Sequence, residues 1–144
     1  MTVIIGKLTD LTLTQVVTIF KERIKVFVVE QNCPYQEIDE ADEQATHISI
    51  WQGVELMAYS RVINRGDEVT FGRVIVVKDH RGKQLGRQIV TLAIAEIKKS
   101  FPNRPIRISA QAHLIEFYGS FGFKASSAEY LEDGIPHVDM VLVQ

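Results

Sequence analysis

The chain has 144 residues, 46% apolar and 24% charged, the composition of one folded domain, which excludes global disorder. Its 16 Lys and Arg against 18 Asp and Glu give a net charge of −2, which excludes an obvious nucleic-acid or membrane-surface partner. No apolar run approaches the roughly 20 residues of a membrane span. MTVIIGKLTD lacks a secretory cleavage site and the single Cys33 can form no internal disulfide, so a reducing cytoplasm is the expected setting.

In chain order, residues 2–7 (TVIIGK) predict a short strand. Thr12 with Gln15 three residues later forms a capping-box pattern. Leu13, Val16, Val17, Phe20, Ile24 and Phe27 then follow helical spacing, and the helix must end before Pro34. Three strands are expected near 45–51, 54–63 and 69–77, with turns at Gly53 and at Asn64-Arg65-Gly66-Asp67. The loop KDHRGKQLG leads into a second helix, whose apolar face is Leu85, Ile89, Leu92, Ala93 and Ile97. A strand at 105–110, a short helix at 113–121, a turn at Glu132-Asp133-Gly134 and a last strand, HVDMVLV, complete a single mixed α/β domain.

The charge is unevenly placed. Residues 26–60 carry seven acids and no Lys or Arg, whereas residues 78–107 carry eight basic residues and two acids, a net +6. The basic segment surrounds the strand-loop-helix unit RVIVVKDHRGKQLGRQIV, in which Gly82 and Gly86 flank a helix start beside Arg81, Lys83 and Arg87. Unpaired N–H groups and a partial positive charge make such a helix start suitable for phosphate. Neither a Walker loop nor G-x-G-x-x-G is present. The bland alternative is a turn with a solvated basic face.

The loop is similar to the acyl-CoA motif V-x-x-x-x-[RQ]-x-x-G-x-[GA] of the GNAT N-acetyltransferase superfamily: Val76, Arg81 and Gly86 match, and Gln84 stands where the middle glycine is usual. Gln111, Phe117-Tyr118 and Phe121-Gly122-Phe123 follow in family order, with Gln111 replacing an asparagine. Residues 26–48, 110–123 and 130–140 resemble the ElaA-like branch in particular. The resemblance implies a GNAT fold over residues 1–144: a central, mostly antiparallel sheet with a splayed parallel pair and flanking helices. It implies acetyl-CoA as co-substrate, no metal, and direct attack of a primary amine of a small molecule or peptide on the thioester.

By the same resemblance, Val74, Ile75 and Val76 face the pantetheine arm, Gly82, Lys83, Gln84, Leu85, Gly86 and Arg87 meet the pyrophosphate with Arg81, and Gln111 completes the donor site. Tyr118 is expected to assist the leaving thiolate, as a hydrogen-bond donor first and an acid second, because a phenol at pKa about 10 lies above a thiol at about 8.5. A base is needed for the amine; Glu30, Asp39, Asp42 and His47 in or beside the acidic stretch and Glu129 and His137 around the C-terminal turn are the candidates, with Glu30 and His137 placed first. Gln31, Tyr35, Asp39, Asp42 and His47, in or beside the acidic stretch, are expected to contact a cationic acceptor, against the plain reading of a solvated loop. A CoA-binding sensor without catalysis and a nucleotide-binding domain are the rivals. The sequence does not decide between monomer and homodimer.

Overall fold

The computed structural model describes all residues, Met1–Gln144. A strand, β1 (Thr2–Gly6), leads to helix α1 (Leu13–Ile24), which runs on as one wider π-helical stretch, Lys25–Glu30. The Thr12 capping box is present: the Gln15 N–H donates to Thr12 Oγ1 at 3.1 Å, and the Thr12 N–H donates to Gln15 Oε1 at 2.9 Å. After a four-residue helix, α2 (Ala41–Gln44), come β2 (Thr46–Gln52), β3 (Glu55–Asn64) and β4 (Val69–Val76). Helix α3 (Leu85–Ser100), β5 (Ile106–Gln111), the short α4 (Ile115–Gly119) and strands β6 (Lys124–Ala125), β7 (Tyr130–Glu132) and β8 (Ile135–Leu142) follow.

One eight-stranded sheet has the order β1-β2-β3-β4-β5-β8-β6, with β7 paired to β8. Every pairing is antiparallel except β4–β5. That parallel pair is registered only at Val69 and Ile106. Beyond it the strands diverge, so the sheet opens into a V and the edge of β4 facing β5 has no strand partner. The expected splayed parallel pair is therefore present.

The two faces of the sheet differ. One packs α3 through Leu85, Ile89, Val90, Ala93, Ile94 and Ile97 against Val69, Phe71, Ile106, Ile108 and Met140. The other carries α1 on a smaller apolar cluster of Ile19, Trp51, Leu56, Tyr59 and Ile75. Here the sequence-based face of α1 is corrected. Leu13, Val17 and Ile24 are exposed, while Ile19 and Arg23 are buried, so the helix is rotated to bring an arginine inside. The periodicity pointed elsewhere because it counted apolar residues only, and a buried arginine is invisible to it.

Candidate active site

The diverging ends of β4 and β5 enclose a cleft of about 820 Å³. Phe71–Val76 line one wall and Arg107–Gln111 the other, and Tyr118 with Val26 and Phe27 of the π-helical stretch close the space. Gln31, Tyr35, Val74, Ile75, Val76, Arg81, Gln111, Tyr118 and His137, all expected at a site, meet in this one cleft.

β4 is irregular where it borders the cleft. Arg61 pairs with Gly72 and Tyr59 with Ile75, so Ser60 alone opposes both Arg73 and Val74, a β-bulge that interrupts the ladder. Arg73 sits there at φ +52, a left-handed conformation disfavoured for a residue with a Cβ. Gly72 carries no side chain, and its carbonyl accepts from Ser60 Oγ at 2.8 Å.

The loop after β4 turns sharply through Gly82 (φ +84) and Gln84 (φ +63) into α3, which leaves the first N–H groups of that helix without helical acceptors. The positive φ at Gln84 explains why a glycine suits that position. Gln84→Gly removes the left-handed Cβ penalty and should stabilise the fold by about 0.5–1 kcal/mol. Urea unfolding checks this as a higher midpoint with an unchanged slope; a lower midpoint would mean that the glutamine side chain supports the loop.

Side chains in this loop are less free than the sequence suggests. Arg81 Nε donates to the Val76 carbonyl at 2.9 Å, and its guanidinium donates to both Glu30 oxygens at 3.2 and 2.9 Å. Glu30 is thus a strut between the π-helical stretch and the loop after β4, with both oxygens occupied. Arg87 lies over the Phe121 ring at 4.7 Å and donates to Ser120 Oγ at 3.0 Å. Leu85 points into the core, so only its backbone is available. Lys98 and Lys99 stand at the far end of α3, roughly 24 Å from its start for 16 residues. The +6 segment is therefore not one electrostatic patch.

Tyr118 projects from α4 into the cleft. It is 6% exposed and packed against Phe71, Phe117 and Phe123, with ring centroids 6.3, 5.1 and 6.2 Å away. Burial pushes its pKa up to about 12. Across the cleft, His137 Nδ1–H donates to the Ile135 carbonyl at 2.7 Å, and its Nε2 lies 3.4 Å from Glu132 Oε2. Tyr130 stacks on His137 and its hydroxyl donates to Asp139 Oδ1 at 2.6 Å; Ser109 meets the same hydroxyl at 2.5 Å. At the tip of the β7–β8 hairpin, the Asp133 carbonyl accepts from Cys33 Sγ at 3.3 Å, which ties the tip to the loop after α1.

The acidic stretch lies elsewhere than expected. Asp42 and His47 are 2% and 1% exposed, and neither they nor Asp39 line the cleft. Asp42 accepts from Arg23 at 2.7 Å and Arg61 at 3.0 Å, while Asp39 accepts from Arg61 at 2.7 Å. His47 bonds the Tyr59 hydroxyl at 2.6 Å and the Asp42 carbonyl at 2.9 Å. Their expected contact with an acceptor is replaced by an interior role, because arginines buried in α1 and β3 need counter-charges. Hydrogen bonding from Arg61 holds the Asp39 carboxyl below its usual pKa. Burial alone would raise that of Asp42, but Arg23 and Arg61 reverse this and lower it. Burial lowers the pKa of His47 and keeps its imidazole neutral.

Sequence reasoning missed Arg23, Glu37, Arg61 and Arg73, which form this network. The available signal was a charged residue inside an otherwise apolar helix face or strand. It also missed Ser109, Tyr130, Glu132 and Asp139, brought to the cleft only by the β5–β8 and β7–β8 pairings.

Residues 9–144 match the family described as acetyltransferase (GNAT) domain. The chain belongs to the GNAT acyltransferase family. It is 42% identical over 136 residues to Protein ElaA of Escherichia coli, an alignment covering 91% of this chain and 89% of ElaA. The crystal structure of E. coli ElaA superposes with a TM-score of 0.93 at 38% identity, covering 98% of this chain and 99% of that one. An acyl-CoA N-acyltransferase from Pseudomonas aeruginosa superposes with a TM-score of 0.92 at 37% identity, with the same coverage. The fold is the mixed α/β GNAT fold, and the family's chemistry is acyl transfer from CoA thioesters. No helix is long and apolar enough to cross a membrane.

Proposed function

We propose that this protein is a cytoplasmic N-acetyltransferase that moves an acetyl group from acetyl-CoA to a primary amine of a small molecule or peptide by direct attack. The observation that carries the reading is the cleft itself. A bulged, unpaired strand edge and a buried tyrosine line the same opening between β4 and β5. The pantetheine amides pair with the free edge of β4 along Val74–Val76, and the pyrophosphate meets the backbone of residues 82–87 at the start of α3, with Lys83 as the nearest unpaired cation. The bulge turns a β4 N–H toward the thioester carbonyl, where developing negative charge is stabilised. Tyr118, which donates to no protein group, donates to the sulfur as the thiolate leaves.

The acceptor enters from the face bearing Tyr35, Gln31, Ser109 and the β7–β8 hairpin. Glu132, Asp133 and Asp139 line this end; of the five arginines in the cleft lining, Arg61, Arg73, Arg81 and Arg107 are each paired with acids outside it, and Arg65 alone has no acid partner. This leaves a wall suited to an ammonium group. His137 Nε2 takes the proton the amine must lose, a requirement set by an amine pKa near 10.4.

Acetyl-CoA consumption is measured across polyamines, amino sugars, amino acids and peptide N-termini, with CoA binding followed by calorimetry. The expected result is CoA binding together with turnover of at least one amine. Binding of ATP or NAD with none of CoA would overturn the reading, and CoA binding without turnover of any amine would favour a sensor.

A further inference from the structure

The β4 bulge depends on Arg73 holding φ +52, a conformation that a residue with a Cβ keeps only where its surroundings impose it. Glu37 supplies that surrounding. It is 3% exposed and belongs to no helix or strand. Its Oε1 lies 2.7 Å from Arg73 Nε, a close ionic contact without hydrogen-bond alignment, and also accepts from the Tyr35 hydroxyl. Its Oε2 accepts from Arg23 Nε at 2.6 Å. Its main-chain carbonyl accepts from Arg23 at 3.1 Å and from Arg73 at 3.3 Å. The Tyr35 ring lies against the Arg73 guanidinium at 5.6 Å.

We propose that Glu37 is a positioning residue: it clamps Arg73 and so fixes the bulge that aims a β4 N–H at the thioester carbonyl. The inference rests on the acyl-CoA reading above. Counter-charge for Arg23 alone does not account for Glu37, because Asp42 already gives Arg23 a carboxylate at 2.7 Å. Asp42 makes no contact with Arg73, and Asp39, 3.7 Å from Arg73 Nη2, makes none with Arg23; Glu37 is the carboxylate that joins the two arginines. Arg23 anchors the clamp to α1, and the Ser60 bond to the Gly72 carbonyl fixes the chain on the other side of the strained residue. The bulge is thereby held from a helix and from β3 at once.

The test compares Arg73→Ala with Arg73→Gly, and Glu37→Gln with the double variant Glu37→Gln/Arg73→Gly. Steady-state transfer uses acetyl-CoA and the best amine of the panel. Both changes at position 73 remove the guanidinium, but only glycine adopts the positive φ without a clamp. Arg73→Ala should lower kcat about tenfold with the KM for acetyl-CoA within about twofold, a partial loss of the effect of an oxyanion donor. Arg73→Gly should retain about five times the kcat of Arg73→Ala, and adding it to Glu37→Gln should restore a similar factor.

Equal impairment by glycine and alanine, a loss confined to KM, or a double variant no faster than Glu37→Gln would overturn the proposal. If Glu37→Gln does not fold, the comparison at position 73 decides. A purely structural clamp would shift melting temperatures without the glycine-specific recovery of kcat. Wild-type protein that neither binds nor turns over acetyl-CoA would remove the acyl-CoA reading and this inference together; active wild type with equal glycine and alanine variants would remove this inference alone.

Discussion

Arg23→Ala should destabilise the fold by about 3–5 kcal/mol, because breaking a buried ion pair from one side leaves its partners uncompensated. Arg23 is 0% exposed, packs over Phe20 and Tyr59 with its guanidinium carbon 5.5 Å from each ring, and bonds Glu37 and Asp42. Burial alone would lower its pKa, but Asp42, Tyr59 and Glu37 more than reverse this, so the guanidinium stays charged. Urea unfolding gives the size. Arg23→Met, which keeps most of the packing but not the charge, should fall between wild type and alanine. A loss below about 1 kcal/mol for alanine would mean that the network is solvated rather than buried.

The same network sets an acid slope. The carboxyl of Asp42 titrates below its usual value in the folded protein, so its contribution is present above that value and is lost as pH falls through the folded pKa. His47 works in the same direction at higher pH. Its folded pKa is depressed below 6.5, so the unfolded chain takes up a proton that the folded one refuses, and stability falls as pH drops through 6.5. In Arg23→Ala the depression at Asp42 shrinks, and the slope below about pH 4 should flatten relative to wild type.

How far the sequence revealed this depends on the kind of interaction. The Thr12 cap, the α3 stripe and the Asp133-Gly134 turn are local, and each stands where its pattern places it. The rotation of α1 was hidden because Arg23 breaks the apolar code while sitting at its centre. The short strands β6 and β7 were missed because two or three residues carry no period. The turn into α3 was legible through Gly82, Gly86 and the basic residues beside them. The cleft wall opposite β4 was not, since Ser109, Tyr130 and Asp139 are drawn together by strand pairing across the end of the chain. Charge counting misled most: the seven acids of residues 26–60 suggested attraction for a cation, yet Glu30, Glu37, Asp39 and Asp42 are matched by Arg81, Arg23, Arg73 and Arg61. The acids that line the cleft are Glu132, Asp133 and Asp139, outside that stretch.

Tyr118→Phe should lower kcat about 10²-fold while leaving the KM for acetyl-CoA nearly unchanged, the pattern of an interaction gained in the transition state. Phenylalanine keeps the ring contacts with Phe71, Phe117 and Phe123, so the melting temperature should move little. With burial pushing the hydroxyl's pKa up to about 12, the proposed role is hydrogen-bond donation rather than full proton transfer. Transferring its proton fully to a thiolate whose acid has pKa about 8.5 is uphill by about 3.5 units, or roughly 5 kcal/mol. Donating a hydrogen bond to sulfur as negative charge develops carries no such cost, and the buried setting strengthens that bond. The tyrosine should therefore impose no falling limb on the pH–rate profile below about pH 11. A wild-type profile that falls near pH 9–10, and loses that limb in Tyr118→Phe, would instead make Tyr118 a full proton donor. Unchanged kcat in the variant would remove Tyr118 from the chemistry and leave its burial among three phenylalanines as its whole explanation.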